Sequence, residues 1–298
     1  MVSPDSRSNF VSTKRKKIME QKKVWFVTGA SKGFGLSIVK QLLAQGTPVA
    51  ATSRSISDLG KAVGEDENFL PLSVNLTSEE SVAAAIDATV KKFGRIDVIV
   101  NNAGYGLVGG LEELTDEEGR KNFDVNVFGT LNVIRKALPY LRKQRSGHIF
   151  NFSSIGGYVG AFPGFGIYCA TKFAVVGLTE ALSAEVKPFG IHATIVAPGY
   201  FRTSFLSSDS LITPKNVIEE YTSVRESQHA HQHSLDGNQA GDPEKGAAAL
   251  IKVAGEQNPP LHFFLGQDAY DLAHKELGVI KEQLESWKEL TVSTGVEA

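Results

Sequence analysis

Apolar residues along the chain gather in short unbroken runs, separated by longer stretches in which they recur every three or four positions. From Lys23 the chain reads VWFVTGASKGFG, an apolar run followed by a glycine-rich turn, which suits a parallel strand buried on both faces. Residues 34–45, FGLSIVKQLLAQ, space their apolar positions for a helix and stop at Gly46. The unit then repeats. Further strands are predicted at 49–52, 69–74, 96–100, 148–152, 192–199 and 261–265. Helices are predicted at 57–63, from the TSEE cap at 77–80 to Gly94, and from Thr115 to about Lys143 across the interior Gly129 and Pro139. Others run from Tyr168 to near Pro188, from Asp242 and Pro243, and from Asp268 to Leu290 as a closing amphipathic helix.

Strand and helix alternate with no other internal repeat. That predicts an α/β protein: a single-domain, Rossmann-type, doubly wound parallel sheet of about seven strands. Residues 200–241, after the sixth strand, are irregular and polar, too long for a plain connector, and are expected to form a substrate lid. Residues 1–22 are Ser-rich, carry Lys14, Arg15, Lys16 and Lys17 and have no apolar period; they predict a disordered basic arm before a domain at 23–298, with Met19 a candidate second start.

Composition narrows the field. With 42% hydrophobic and 21% charged residues, 298 residues suffice for one large domain with a buried core. A net charge of −2 calls for neither nucleic acid nor an anionic membrane. Cys169, the only cysteine, permits no intrachain disulfide and fits a reducing compartment. No apolar run approaches the roughly 20 residues of a membrane span, and no secretion signal is seen, so a cytoplasmic protein is expected.

Candidate chemistry sits in three stretches. Thr28–Gly35, TGASKGFG, joins a buried strand to a helix, where glycines admit a pyrophosphate and free N–H groups receive it. The second strand should end near an adenosine ribose; Ser53 and Arg54 stand there in place of a carboxylate, and Lys32 adds a second positive charge, favouring NADP(H) over NAD(H). Tyr168 and Lys172 are four apart, on one face of the expected helix. A cation beside a phenol lowers its pKa, making Tyr168 a candidate general acid/base.

TGxxxGxG at 28–35, NNAG at 101–104, Asn126 in NVFG, Ser154, Tyr-x-x-x-Lys at 168–172 and PGYFRT at 198–203 occur in the order found in the short-chain dehydrogenase/reductase family, which the chain resembles over residues 23–205. The resemblance implies hydride transfer between a nicotinamide and a carbonyl or secondary alcohol. It assigns Tyr168 to pass the proton, Ser154 to orient the substrate oxygen, Lys172 to hold the ribose and lower the phenol pKa, and Asn126 to hold a relay water. It implies cofactor contacts at Gly29, Ser31, Lys32, Gly33, Phe34, Gly35, Arg54, Asn75, Asn102, Ala103, Gly104, Tyr168, Lys172, Pro198, Gly199, Phe201 and Thr203, and a homo-oligomer, dimer or tetramer, associating through the helices at 115–143 and 168–187.

The chain departs from the family where Asn75 and Leu76 replace an aspartate and an aliphatic residue, though an amide oxygen could still meet the adenine. Ser154 and Tyr168 stand one residue further apart than is common there, leaving Ser153 as an alternative to Ser154. The basic arm is a third departure. Phe162, Phe165 and Tyr158 could line an apolar pocket for bulky or aromatic carbonyls or pack in the core, and Cys169 reads as filler. His229, His231 and His233 alternate without an acidic or thiol partner, so no metal is expected. An NAD-dependent alcohol dehydrogenase and a non-catalytic NADP(H)-sensing protein are the rival readings.

Overall fold

The structure, a computed structural model, describes residues 22–296. The expected basic arm lies outside the described residues, apart from Lys22, whose ammonium donates to the carbonyls of Gln45 and Gly46.

The chain runs β1 (Trp25–Val27), α1 (Gly33–Ala44), β2 (Val49–Ser53), α2 (Ile56–Val63), β3 (Phe69–Ser73), α3 (Glu79–Phe93), β4 (Val98–Asn101) and the short β5 (Gly106–Leu107). It continues through α4 (Asp116–Phe123), α5 (Gly129–Gln144), β6 (Gly147–Phe152), α6 (Gly166–Val186), β7 (Ile191–Pro198) and the short β8 (Leu211–Ile212). The rest is α7 (Thr222–His229), α8 (Pro243–Ala254), β9 (His262–Leu265), α9 (Gln267–Ser286) and α10 (Lys288–Val292). Seven strands form one parallel sheet in the order β3-β2-β1-β4-β6-β7-β9. Each strand sends alternate residues to opposite faces, so both faces carry a core. Trp25, Val27, Val98 and Val100 pack beneath α1 and α8, while Phe26 and Ile99 pack beneath α3, α5 and α6.

Side-chain oxygens cap the helices where turn residues precede them. Ser55, Ser78, Thr115 and Asp242 each accept a backbone N–H in the first turn of α2, α3, α4 and α8. Three expectations change. The helix foreseen from Thr115 is α4 and α5 joined by a wide π turn at Asp124–Phe128, which sets Asn126 on an inserted bulge. The closing helix breaks at Trp287. By length and mean hydropathy, Gly166–Phe189 is apolar enough to cross a bilayer, contrary to the expectation of no such run. In this fold it is a core helix: Leu182 and Val186 pack on the sheet, and it carries both Tyr168 and Lys172.

Candidate active site

Strand order reverses between β1 and β4, so the turns leaving their carboxyl ends diverge and open a crevice. A cleft of about 660 Å³ runs from the glycine turn past Arg54 and the NNAG turn to Ser154, Tyr168 and Thr203. It brings every expected site residue to its wall except Gly35 and Asn126, which lie directly behind that wall.

The nucleotide end is built from two turns locked together. Thr28 Oγ1 accepts the N–H groups of Asn102 and Ala103, both at 3.1 Å, and Asn102 Nδ2 donates to the carbonyls of Thr28 and Gly29, both at 3.0 Å. Gly29 has φ +65°, and a Cβ there would lie 2.8 Å from the Ala103 backbone, so only glycine lets the turns close. Lys32, the N-cap of α1, supplies no side-chain cap, unlike the caps of α2, α3, α4 and α8. The uncapped first turn lines the cleft, leaving N–H donors and the positive end of the helix for a phosphate, and the residues present therefore fit a dinucleotide. Arg54 and Lys32 are exposed on the same cleft, and neither has an ion pair or side-chain hydrogen bond among the described residues. Asn75 stands on the rim as expected, but its Oδ1 already accepts both the N–H and the hydroxyl of Thr77, at 3.1 and 2.8 Å, so the amide oxygen foreseen for adenine is engaged.

At the other end, Tyr168 and Lys172 stand one turn apart on α6, 8% and 5% exposed. Lys172 Nζ donates to the Phe152 carbonyl at 3.0 Å and lies 5.7 Å from the centre of the Tyr168 ring. Ser154 Oγ accepts the Gly156 N–H at 3.1 Å and borders the Tyr168 ring: a Cβ on Gly156 would lie 3.5 Å from the one and 3.7 Å from the other. Ser153, one residue back, points the other way and donates to the Lys172 carbonyl at 2.9 Å, where a Gly157 Cβ would collide with it. Between the adjacent serines, therefore, it is Ser154 that faces the phenol.

Burial governs the charges. It lowers the Lys172 ammonium to about 8. It also raises the Tyr168 phenol above its usual value, with the Ser154 hydrogen bond opposing it. The lowered phenol expected from the Tyr-x-x-x-Lys spacing is thus not what the protein groups produce by themselves, because desolvation outweighs the opposing effect of Ser154.

Asn126 is held by its bulge. Its Nδ2 donates to the Tyr105 carbonyl at 3.0 Å and to Thr171 Oγ1 at 3.2 Å, and its Oδ1 accepts the Tyr105 N–H at 3.0 Å. A Cβ on Gly104 would sit 3.0 Å from Asn126 Oδ1 and 3.5 Å from Lys172 Nζ, so the two atoms border one gap that glycine keeps open. The PG turn is fixed from a distance: Tyr200 N–H donates to Asp268 Oδ2 at 2.6 Å, and Gly199 N–H to the Leu265 carbonyl at 2.9 Å. Phe201 packs its ring on Phe34, with centroids 4.8 Å apart, and Thr203 lies beside Gly33. Asp268, Tyr105 and Thr171 went unnoticed in the sequence. Asp268 could be read only as the start of a helix, and no spacing ties it to a turn 68 residues away.

Residues 200–241 contribute Tyr200, Phe205, Leu206 and His231 to the cleft wall, which Phe162 and Phe165 also line. Tyr158 does not line the cleft; its hydroxyl meets His262 Nδ1 at 2.6 Å and its ring packs on Phe264. His231 Nδ1 faces the Ser227 carbonyl at 2.7 Å and must carry the hydrogen, which leaves Nε2 to accept from the Tyr200 hydroxyl at 2.9 Å. Among the described residues no three His, Cys, Asp or Glu side chains converge for a metal. Burial holds the Cys169 thiol at about 11, so it stays protonated.

A dinucleotide cradle and a buried Ser-Tyr-Lys group on one cleft define a nucleotide-binding oxidoreductase. The chain belongs to the short-chain dehydrogenase family: the family described as short chain dehydrogenase matches residues 23–211. It is 36% identical to the oxidoreductase BOA17 of Botryotinia fuckeliana, over 91% of this chain and 99% of that one. It is 38% identical to the 3-ketodihydrosphingosine reductase of Bacteroides thetaiotaomicron, over 83% and 88% of the two chains. The crystal structure of a short-chain dehydrogenase from Streptomyces avermitilis superposes with a TM-score of 0.84 at 35% identity, covering 92% of this chain and all of that one.

Proposed function

We propose that the protein is an NADP(H)-dependent reductase of bulky, apolar carbonyl compounds, with Tyr168 as the acid. The observation that carries this is the convergence of the Tyr168 phenol, Ser154 and Lys172 at the inner end of a cleft whose outer end is the phosphate cradle. Arg54 and Lys32 support the 2′-phosphate form, because each offers a cation with no ion pair among the described residues and Ser53 supplies no carboxylate to hold a free hydroxyl. Bound NADPH supplies the hydride for the carbonyl carbon.

The chain's own residues do the rest. Ser154 hydrogen-bonds and orients the carbonyl oxygen, and Tyr168 donates its proton to that oxygen as negative charge develops there. A phenol kept neutral by burial is in the protonated form that donation to the carbonyl oxygen requires. Lys172 steadies the resulting phenolate, and the gap between its ammonium and Asn126 Oδ1 is where a water would restore the proton. Phe162, Phe165, Phe205 and Leu206 exclude other water and suit an apolar substrate, as does the ketone named for the Bacteroides relative. The test follows NADPH oxidation against a panel of bulky ketones, with Tyr168→Phe as control. The variant should bind NADPH normally while turnover falls by roughly 10² or more. Undiminished turnover would exclude Tyr168 as the acid.

A further inference from the structure

Around Tyr168 the cleft is walled by an apolar cluster that includes Phe162, Phe165, Phe205 and Leu206, and a second phenol, Tyr200, stands within it. Tyr200 is held by its backbone. Its N–H donates to Asp268 and its carbonyl accepts the Gly241 N–H at 3.0 Å, which gives the side chain a set origin in the wall. His231 is held as firmly. It sits on the π turn Ala230–Leu235 that continues α7, and its ring lies against Phe165 with centroids 4.5 Å apart. The segment leading into α7, and α7 itself, are tied to the loop before α4, where the fully buried Glu113 accepts the Ile218 N–H and the Arg225 guanidinium.

These contacts give the Tyr200–His231 pair a direction. The Ser227 carbonyl, 2.7 Å from His231 Nδ1, can only accept, so that nitrogen carries the hydrogen and Nε2 takes the Tyr200 hydrogen at 2.9 Å. Burial lowers the imidazole's pKa, which keeps the ring neutral at pH 7 and Nε2 an acceptor. The one hydrogen of the Tyr200 hydroxyl is thus committed inside the wall. Its oxygen can still accept, and no group among the described residues donates to it. Ser154 and Tyr168 offer donors to a carbonyl oxygen, whereas Tyr200 offers only an acceptor, so a carbonyl oxygen is drawn to the first position and repelled from the second. We infer, on the reading of Tyr168 as the acid of a carbonyl reductase, that Tyr200, oriented by His231, is a specificity-determining residue, and that the substrate is an apolar carbonyl compound bearing a second, uncharged group that donates a hydrogen bond, a hydroxyl or an amide N–H.

The test uses matched long-chain ketones carrying a hydroxyl or its methyl ether at successive positions along the chain, with secondary amides and their N-methyl forms as a second set. Dissociation constants are measured by titration calorimetry on the NADP+-bound enzyme, beside kcat/KM with NADPH. At the best position the free hydroxyl or N–H should bind roughly ten- to hundredfold more tightly than its methylated form, the range for one buried hydrogen bond. Tyr200→Phe should bring that ratio close to unity. His231→Phe should do the same with Tyr200 in place, because the hydrogen it releases can then turn toward an ether oxygen. A merely structural fault in either variant would weaken both members of a pair alike and leave the ratio standing. A wild type that does not distinguish the members of either set, or a preference that survives Tyr200→Phe, would overturn the inference. Selective binding without turnover would uphold the Tyr200 assignment and count instead against Tyr168 as the acid.

Discussion

Replacing Lys172 with Met tests whether the buried ammonium is kept for chemistry at the expense of stability. The residue is 5% exposed, and among the described residues its ammonium has one hydrogen-bond partner, the Phe152 carbonyl. Burial lowers its pKa from 10.5 to about 8, which corresponds to ~3 kcal/mol against the charged form in the folded protein. Below about pH 8 both the folded and unfolded chains hold the proton, and the whole penalty is present. Between about 8 and 10.5 the unfolded chain binds more protons than the folded one, so stability rises with pH across that window. Methionine fills the same space without charge but leaves the Phe152 carbonyl without its donor, at a cost of roughly 1–2 kcal/mol. Lys172→Met should therefore unfold ~1–2 kcal/mol less readily than wild type at pH 7 while losing turnover. Urea denaturation without cofactor at pH 7 and at about pH 10 measures this, and the gap should narrow at the higher pH as wild type gains. A Met variant that is less stable at neutral pH, or a gap indifferent to pH, would refute the reasoning.

Other outcomes follow from single residues. Arg54→Asp should weaken NADPH binding by roughly ten- to hundredfold, the range for losing one charge-assisted hydrogen bond, and bring NADH to parity or better; isothermal titration with both cofactors measures it, and an unchanged preference removes Arg54 from the site. His148, stacked on Phe150 and bonded to Thr194, is held neutral because burial lowers its pKa to about 3. With the folded value depressed below the unfolded 6.5, its contribution to stability is complete above that value and drains away as pH falls toward 3. Wild type should lose ~2 kcal/mol more than His148→Phe between pH 7 and pH 5 in urea melts, and parallel losses would show that another group titrates.

What could be read along the chain was what each segment settles for itself. The apolar runs and the three-to-four spacing mark strands and helices because burial repeats with the period of the element. The glycine turn at 28–35 and the Tyr168–Lys172 pair each lie within one local conformation, so their geometry follows from spacing alone. Other features needed the assembled sheet. Whether Ser153 or Ser154 meets the phenol depends on how the loop after β6 spends its extra residue against α6. Asp268 reaches the PG turn only because β9 lies beside β7. Depth sets the direction in which the Tyr168 pKa moves, and the chain order does not state depth. The apolar stripe of the closing helix is plain in the residues, but that its outer half faces solvent was decided by where the body ends. Contacts within a few residues are dictated by backbone geometry; contacts across the fold are dictated by which surfaces the crossovers press together.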